Sequence, residues 1–494
     1  MVVYVLNFID RQILVILAED IKADLGLTDA QMGFLYGTTF AIFYAVFGIP
    51  LGRLADRWDR RKLIASGLAI WSAFTALSGT AASLFSLSTY RTFVGIGESS
   101  ASPASYSLLY DYFPARLRAT VMSIYSGGVY IGVGLSLFIG GWILDAWHQA
   151  YDQGGAPFGL KGWQAALMIV ALPGMVLSIA VWKISEPARD SVLTSAREAL
   201  GFVLAETARL VPPFSLMALA RDPDHRRSPL LLNALCIVGL TLLSAQLIKL
   251  TGDAQQWAAI AIGLYTLFSW AQSLYLREPD NFRSIFRNNA LLCCMAGCSF
   301  IAFVSYGAGF WLASYFIRHF GLNVADVGLN LGLSAAIGGW SGVVAGGVVS
   351  DFLQRRLVIG RMITILLSAA ISALSLAMLL RTDNITTAYA LQFAYMFGSS
   401  FWLGGGITFV NESVSPQLRS TASAFLLFTV TMIGLAMGPY IIGQMSDQQI
   451  ALGATPAAAL SFGIEQSLWS YVAASLLAVM AAYFHYKTTN AADS

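Results

Sequence analysis

Long apolar runs follow one another along almost the whole chain, each about the length of a bilayer crossing and each separated from the next by a short polar segment. About 20 mostly apolar residues cross the hydrocarbon core as a helix, because in lipid the backbone must satisfy its own hydrogen bonds. Such runs fall near residues 2–18, 31–53, 63–80, 84–112, 120–146 and 163–183, which we number spans one to six. After a polar stretch to about Ser228 comes a central pair, 229–250 and 254–276. Spans seven to twelve follow at 287–316, 325–352, 362–380, 386–411, 421–445 and 466–486. The pattern predicts an all-α integral membrane protein: a six-helix bundle over 1–183, a linker with two extra transmembrane helices over 184–282, and a second six-helix bundle over 283–494.

Charged residues make up only 11% of the chain, against about 25% in soluble domains, which excludes a large soluble domain. Their placement sets an orientation, since Lys and Arg accumulate in cytoplasmic loops. Arg53, Arg57, Arg60, Arg61 and Lys62 follow span two, Arg116 and Arg118 follow span four, and Lys183 and Arg189 follow span six. The opposite side offers little beyond Lys22 and Lys161, so both termini are expected in the cytoplasm. The net charge of +2 arises from these loops and is no sign of nucleic-acid binding. The N-terminus lacks the basic n-region of a signal peptide. It begins almost inside span one, which leads us to expect a longer native N-terminus. Cys236, Cys293, Cys294 and Cys298 lie in apolar runs and read as small hydrophobes. No metal-spaced cluster, nucleotide loop or nucleophile–base set is present in the spans, so neither a cofactor nor ATP-driven transport is expected.

The halves repeat each other. Gly52-Arg-Leu-Ala-Asp56 with Arg60-Arg61 after span two is matched by Gly347-Val-Val-Ser-Asp351 with Arg355-Arg356 after span eight. Pro114-Ala-Arg-Leu-Arg118 opens span five and Pro416-Gln-Leu-Arg419 opens span eleven, with Asp111 and Glu412 just ahead. Parallel halves around a mid-membrane site are a common transporter plan. In the basic loop, Gly52 would allow close helix approach, Asp56 could face a helix N-terminus in the other half, and the bases could pair with Asp111 or Glu412. Arg57, Arg60, Arg118, Asp351 and Arg355 complete the expected gating latch.

Four charges stand inside the runs: Asp10, Arg11, Arg91 and Glu98. A charge at mid-bilayer costs about 2.5–3.5 kcal/mol on insertion scales, so such residues persist where they pair, titrate or line a watery path. Arg91 and Glu98 are seven apart and share a helix face about 10 Å apart. Asp10 and Arg11 are adjacent and point about 100° apart, so they need different partners. One arrangement has Asp10 meeting Arg91 or Glu98, with Arg11 toward a cavity. None of the four histidines is mid-span, so protons, if handled, fall to carboxylates. The second half has no charge inside its spans. It offers Tyr306, Trp311 and Tyr315 in span seven as an apolar cavity wall, Gly328, Gly332, Gly338, Gly342 and Gly346 as tight helix contacts, and Gly404–Gly406 as a loosening of span ten. A polar half facing an apolar half suits an amphiphile.

The loop Gly52-Arg-Leu-Ala-Asp56-Arg57-Trp-Asp-Arg60-Arg61 resembles the signature of the major facilitator superfamily. Together with Asn7-Phe-Ile-Asp10-Arg11 and Arg91-Thr-Phe-Val-Gly95-Ile-Gly97-Glu98, the chain resembles a bacterial Spinster-type transporter, most closely over 7–145. The resemblance implies the major facilitator fold and alternating access in a bacterial inner membrane. It also implies a lysolipid-like, sphingosine-phosphate-like substrate, proton coupling through Asp10 and Glu98, and Arg91 at the head-group site. The expected substrate-binding residues are Arg11, Arg91, Asn7, Trp311 and Tyr315, with the charged head toward Arg11 and Arg91 and the hydrocarbon chain toward the second half. No protein partner is inferred beyond the bilayer. A proton-independent organic-anion or sugar-phosphate exchanger and a non-transporting lipid sensor are the rival readings. The two central helices depart from the usual twelve.

Overall fold

A computed structural model describes residues 1–151, 154–187, 193–208, 215–217 and 227–493; Arg189 lies outside them. The spans become Val2–Leu25, Asp29–Ala55, Arg60–Ser78, the broken pair Leu84–Glu98 and Ala101–Tyr112, Ala115–Tyr151 and Gly162–Lys183. The central pair is Arg227–Thr251 and Ala254–Arg277. Spans seven to twelve are Asn289–Phe320, Val324–Gln354, Gly360–Leu379, the broken pair Ile385–Ser400 and Trp402–Glu412, Thr421–Ala451, and the broken pair Pro456–Ser467 and Trp469–Asp493. Ten of these helices, both central ones among them, are long and apolar enough to cross a membrane. Spans one, three, four and ten fall outside that set. One and four hold the buried charges, and four and ten are each broken into two helices.

The helix ends follow from local chemistry, and the two halves use the same devices. Span one ends at Gly26 (φ 63°) and span seven at Gly321 (φ 64°), both left-handed, a conformation glycine adopts without steric cost. Thr28 then caps span two and Asn323 caps span eight, each accepting a backbone N–H of the first turn. Asp59 caps span three through the Lys62 N–H. Span four breaks at Ser99–Ser100, four residues before Pro103, whose ring cannot coexist with the Ser99 carbonyl in a regular helix.

The two bundles meet along two seams. At the first, span two meets span eleven: a Cβ on Gly33 would fall 2.4 Å from the Pro439 carbonyl oxygen, and one on Gly37 2.3 Å from that of Leu435. At the second, span five meets span eight: Gly328 sits against Leu137, and Gly134 against Gly332. Gly338, Gly342 and Gly346 instead press on Phe393, Phe397 and Phe401 of span ten. Gly404 and Gly406 pack closely too, on Gly347 and on Cys298 with Trp402, so the expected loosening of span ten there is corrected. Without a hydrophobic drive between helices in lipid, such close backbone approach is what holds transmembrane helices together.

Candidate functional site

All four charges inside the spans come together between spans one and four. Arg11 donates to Glu98 Oε2 from both Nη2 (2.8 Å) and Nε (3.1 Å), and from Nη2 to Asn7 Oδ1 at 3.4 Å. Its guanidinium also lies over Phe8 (4.7 Å), Phe40 (4.4 Å) and Tyr44 (5.0 Å), so aromatic faces supply part of the solvation lost from water. Arg91 is fully buried and donates to the main-chain carbonyls of Asp10 (3.0 Å) and Arg11 (3.3 Å). The expectation that Arg11 faces a cavity is corrected, because it holds Glu98, whereas Asp10 does lie in electrostatic range of both Arg91 and Glu98. Arg91 clamps the backbone of span one. The cause is geometric: Arg91 reaches span one at the level of residues 10 and 11, while Glu98, two turns on, meets the Arg11 side chain.

The Asp10 carboxyl is 1% exposed, and its Oδ1 has no hydrogen-bond partner. Glu98 Oε1 and Asn7 Nδ2 are likewise buried and unpartnered. A buried polar atom without a partner costs about 1–3 kcal/mol. Around it Gly95 and Gly97 bring span four against Phe40 of span two and Trp71 of span three. Across the seam, Tyr306 of span seven lies in electrostatic range of Arg11 and is partly exposed.

Trp311 and Tyr315 are corrected as wall residues. Both are fully buried. Trp311 donates from its indole N–H to the Pro439 carbonyl at 2.8 Å, and Tyr315 stacks on His319 at 5.1 Å. They sit beside a clasp that sequence reasoning missed. Arg318 of span seven binds Glu19 of span one and Asp29 at the start of span two, at 2.8 Å from Nη2 to each. Ser446 donates to Asp29 Oδ2 at 2.6 Å, and Asp447 accepts the Asp29 and Ala30 N–H groups at 2.9 and 2.8 Å. Lys22 adds a contact to Asp29 at 2.5 Å. Four spans from both halves, one, two, seven and eleven, thus close on the fully buried Asp29. The matching Gly-Leu-Thr28 and Gly-Leu-Asn323 turns were the available sequence signal.

At the opposite face Arg60 and Arg361 each pair within their own half. Arg60 binds Asp111 (2.6 Å), Glu186 (2.7 Å) and Ser107 (2.8 Å). Arg361 binds Glu412 (2.6 and 2.7 Å) and Asp351 (3.5 Å). Arg361 opens span nine as Arg60 opens span three, so it is the true counterpart; Arg355, expected in that role, is exposed. Arg118 donates to the Tyr110 and Phe113 carbonyls and stacks on the Tyr110 ring at 3.6 Å. Arg57 lies 4.9 Å over Phe202 of the linker helix Ala196–Ala208, and Arg53 pairs with Glu206 of the same helix. Asp56 is exposed at the end of span two. A Cβ on Gly52 would meet only Pro103, at 3.9 Å, so close approach does not require glycine there.

Two repeated six-span bundles with a central helix pair between them, a buried charge cluster in one bundle and a clasp between the bundles define a secondary transporter rather than an enzyme. Residues 1–439 match the model of the Major Facilitator Superfamily, and the chain belongs to that family. It is 25% identical over 410 residues to the probable galactarate/D-glucarate transporter GarP of Escherichia coli, covering 81% of this chain and 76% of GarP. It is 24% identical over 455 residues to the sphingosine-1-phosphate transporter SPNS2 of Danio rerio, covering 90% and 74%. In fold it is similar to a bacterial homologue of the lysosomal transporter Spinster crystallised inward-facing and unoccupied. The TM-score is 0.69 at 24% identity, covering 99% of this chain and 95% of that one.

Proposed function

We propose that the protein is a proton-coupled secondary transporter that moves an anionic, single-chain amphiphile of the lysolipid type by alternating access. The observation that carries this reading is the Arg11–Glu98 pair, buried beside the Asp10 carboxyl, whose Oδ1 has no hydrogen-bond partner, and ringed by Phe8, Phe40 and Tyr44. An anionic head that displaces Glu98 from Arg11 leaves a carboxylate without a cation at mid-membrane, and taking up a proton relieves that cost. Substrate and proton then bind together or exclude one another through a single arginine. Asp10 serves as the second proton group. Tyr306 and the aromatic ring around Arg11 suit the first methylenes of an acyl chain.

With the Arg60 face in a bacterial cytoplasm, both termini are cytoplasmic. The Arg318–Asp29 clasp then seals the outer face, while the ion pairs of Arg60 and Arg361 within each half leave the inner face free to part: an inward-facing state. Similarity to SPNS2 supports a lipid substrate. Similarity to GarP keeps a polar sugar acid as the second reading, which needs more cationic contacts than Arg11 offers beside a largely aromatic wall.

Binding to the purified protein separates the two. A fluorescent lysophosphatidic acid is expected to bind, to be displaced by sphingosine-1-phosphate and not by galactarate, and to weaken at least tenfold in Arg11→Gln. Displacement by galactarate, with no lysolipid binding, would replace the amphiphile by a sugar acid.

A further inference from the structure

The central helix pair lies along one seam only. Its second helix, Ala254–Arg277, touches both halves at once: a Cβ on Gly263 would fall 2.8 Å from the Met432 sulfur of span eleven and 3.6 Å from Ile42 of span two. Toward the Asp29 face, Trp257 packs in one cluster with Ala30 and Phe34 of span two and Tyr440 of span eleven, and Tyr440 donates to Asp253 at 2.8 Å. Toward the Arg60 face, Trp270 stacks 5.8 Å from Phe425 of span eleven, and Phe286, just beyond the pair, lies 5.2 Å from the same ring. The pair is braced internally. Asn233 donates to Gln272 at 2.5 Å and accepts from the Tyr265 hydroxyl at 2.8 Å, all three buried. These bonds join the two central helices to each other, and the contacts above seat the second one across the seam between spans two and eleven.

Nothing comparable is seated on the other seam among the described residues. Spans five and eight stay together from Gly141 against Val324 down to Tyr130 against Gly339. Below that level span eight turns to span ten, through Gly342 and Gly346. Ile124, Ile131, Trp340 and Val344, on either side of the divergence, are exposed. Apolar side chains bordering a gap at membrane depth face acyl chains without cost, whereas the backbone edges of an open polar cavity would not.

We propose that the central pair seals the seam between spans two and eleven, so that the apolar chain of an amphiphile reaches the Arg11 site from the bilayer only between spans five and eight. The inference rests on the amphiphile reading above and adds a one-sided route to it. The two halves of an ordinary twelve-span protein carry equivalent seams; here the linker has removed one of them from use.

The test is photolabelling of the full chain in nanodiscs with a lysophosphatidic acid carrying a diazirine at the end of its acyl chain, followed by peptide mapping. An excess of unlabelled lysophosphatidic acid separates site-directed adducts from adducts with bulk lipid. The competable adducts are expected on spans five and eight around Ile131, Trp340 and Val344, at least tenfold above those on Ile42, Phe425, Met432 and the central pair. Competable adducts at the spans two–eleven seam, or equal labelling of both seams, would overturn the one-sided route while leaving the amphiphile reading standing. Absence of any competable adduct would overturn the amphiphile reading and the route with it.

Discussion

Arg11 of span one holds Glu98 of span four at 2.8 Å, with the Glu98 side chain wholly shielded and the Arg11 side chain 10% exposed. The two residues lie 87 positions apart. A buried ion pair contributes little net stability relative to an apolar pair, yet removing one partner leaves a stranded charge. In the proposed mechanism that asymmetry lets substrate binding and protonation be exchanged at one arginine.

Arg11→Ala is therefore expected to destabilise the protein by up to about 3–5 kcal/mol, most at high pH, where the Glu98 left without a cation does not take up a proton. Arg11→Ala combined with Glu98→Gln should recover most of that loss. Thermal unfolding of the purified variants measures both. An additive double variant would mean that the two side chains do not interact in the membrane.

Arg318→Ala removes the cation to which Glu19 and Asp29 are bound. Loss of the clasp favours separation of the halves at the Asp29 face. Tyr36, 2% exposed and stacked on Phe310 across the seam at 4.4 Å, reports the opening. A cysteine in place of Tyr36 should react with a water-soluble maleimide at least tenfold faster in the Arg318→Ala background. An unchanged rate would show that the glycine contacts alone keep this face shut.

Gly443 lies with a prospective Cβ 2.4 Å from the Asp29 carbonyl oxygen, whereas one on Gly52 meets nothing nearer than 3.9 Å. Gly443→Ala should force spans two and eleven apart and lower transport severalfold. Gly52→Ala should be tolerated in the inward-facing state. Comparing the two for maleimide reactivity at residue 36 and for transport separates a seam contact from a signature residue.

Arg361→Ala removes two charge-assisted hydrogen bonds from Glu412, which is half exposed. The expected loss is about 1 kcal/mol, since water solvates the freed carboxylate. Arg355→Ala, at an exposed position, should change the midpoint of unfolding little. Equal effects would restore Arg355 as the counterpart of Arg60.

The helical runs, the repeat and the gathering of Asp10, Arg11, Arg91 and Glu98 were legible in the sequence because each is a short-range or compositional signal. Apolar length fixes a span, and an unpaired charge in lipid demands company. Partner choice was not legible. Arg91 and Glu98 share a helix face, which suggested a link between them, yet seven residues of rise leave Arg91 level with the main chain of Asp10 and Arg11. The loop copies misled in the same way. Spelling aligned Arg355 with Arg60, whereas the position in the first turn of the following helix belongs to Arg361. The Asp29 clasp joins residues 289 and 418 positions apart, and only the local Gly-Leu-cap turn hinted at its frame. Trp311 and Tyr315 read as wall residues because an apolar stripe looks the same whether it faces a cavity or a neighbouring helix.

Proton coupling through the span one–span four cluster is the central claim, and flux in proteoliposomes addresses it most directly. Vesicles carrying the native chain, Asp10→Asn or Glu98→Gln would be given a fluorescent lysophosphatidic acid and an imposed pH gradient. The account predicts gradient-driven movement by the native chain that both substitutions abolish while binding in detergent is kept. Movement indifferent to the gradient and to both substitutions would contradict it, leaving a facilitator whose buried charges hold substrate and helices but no transported proton.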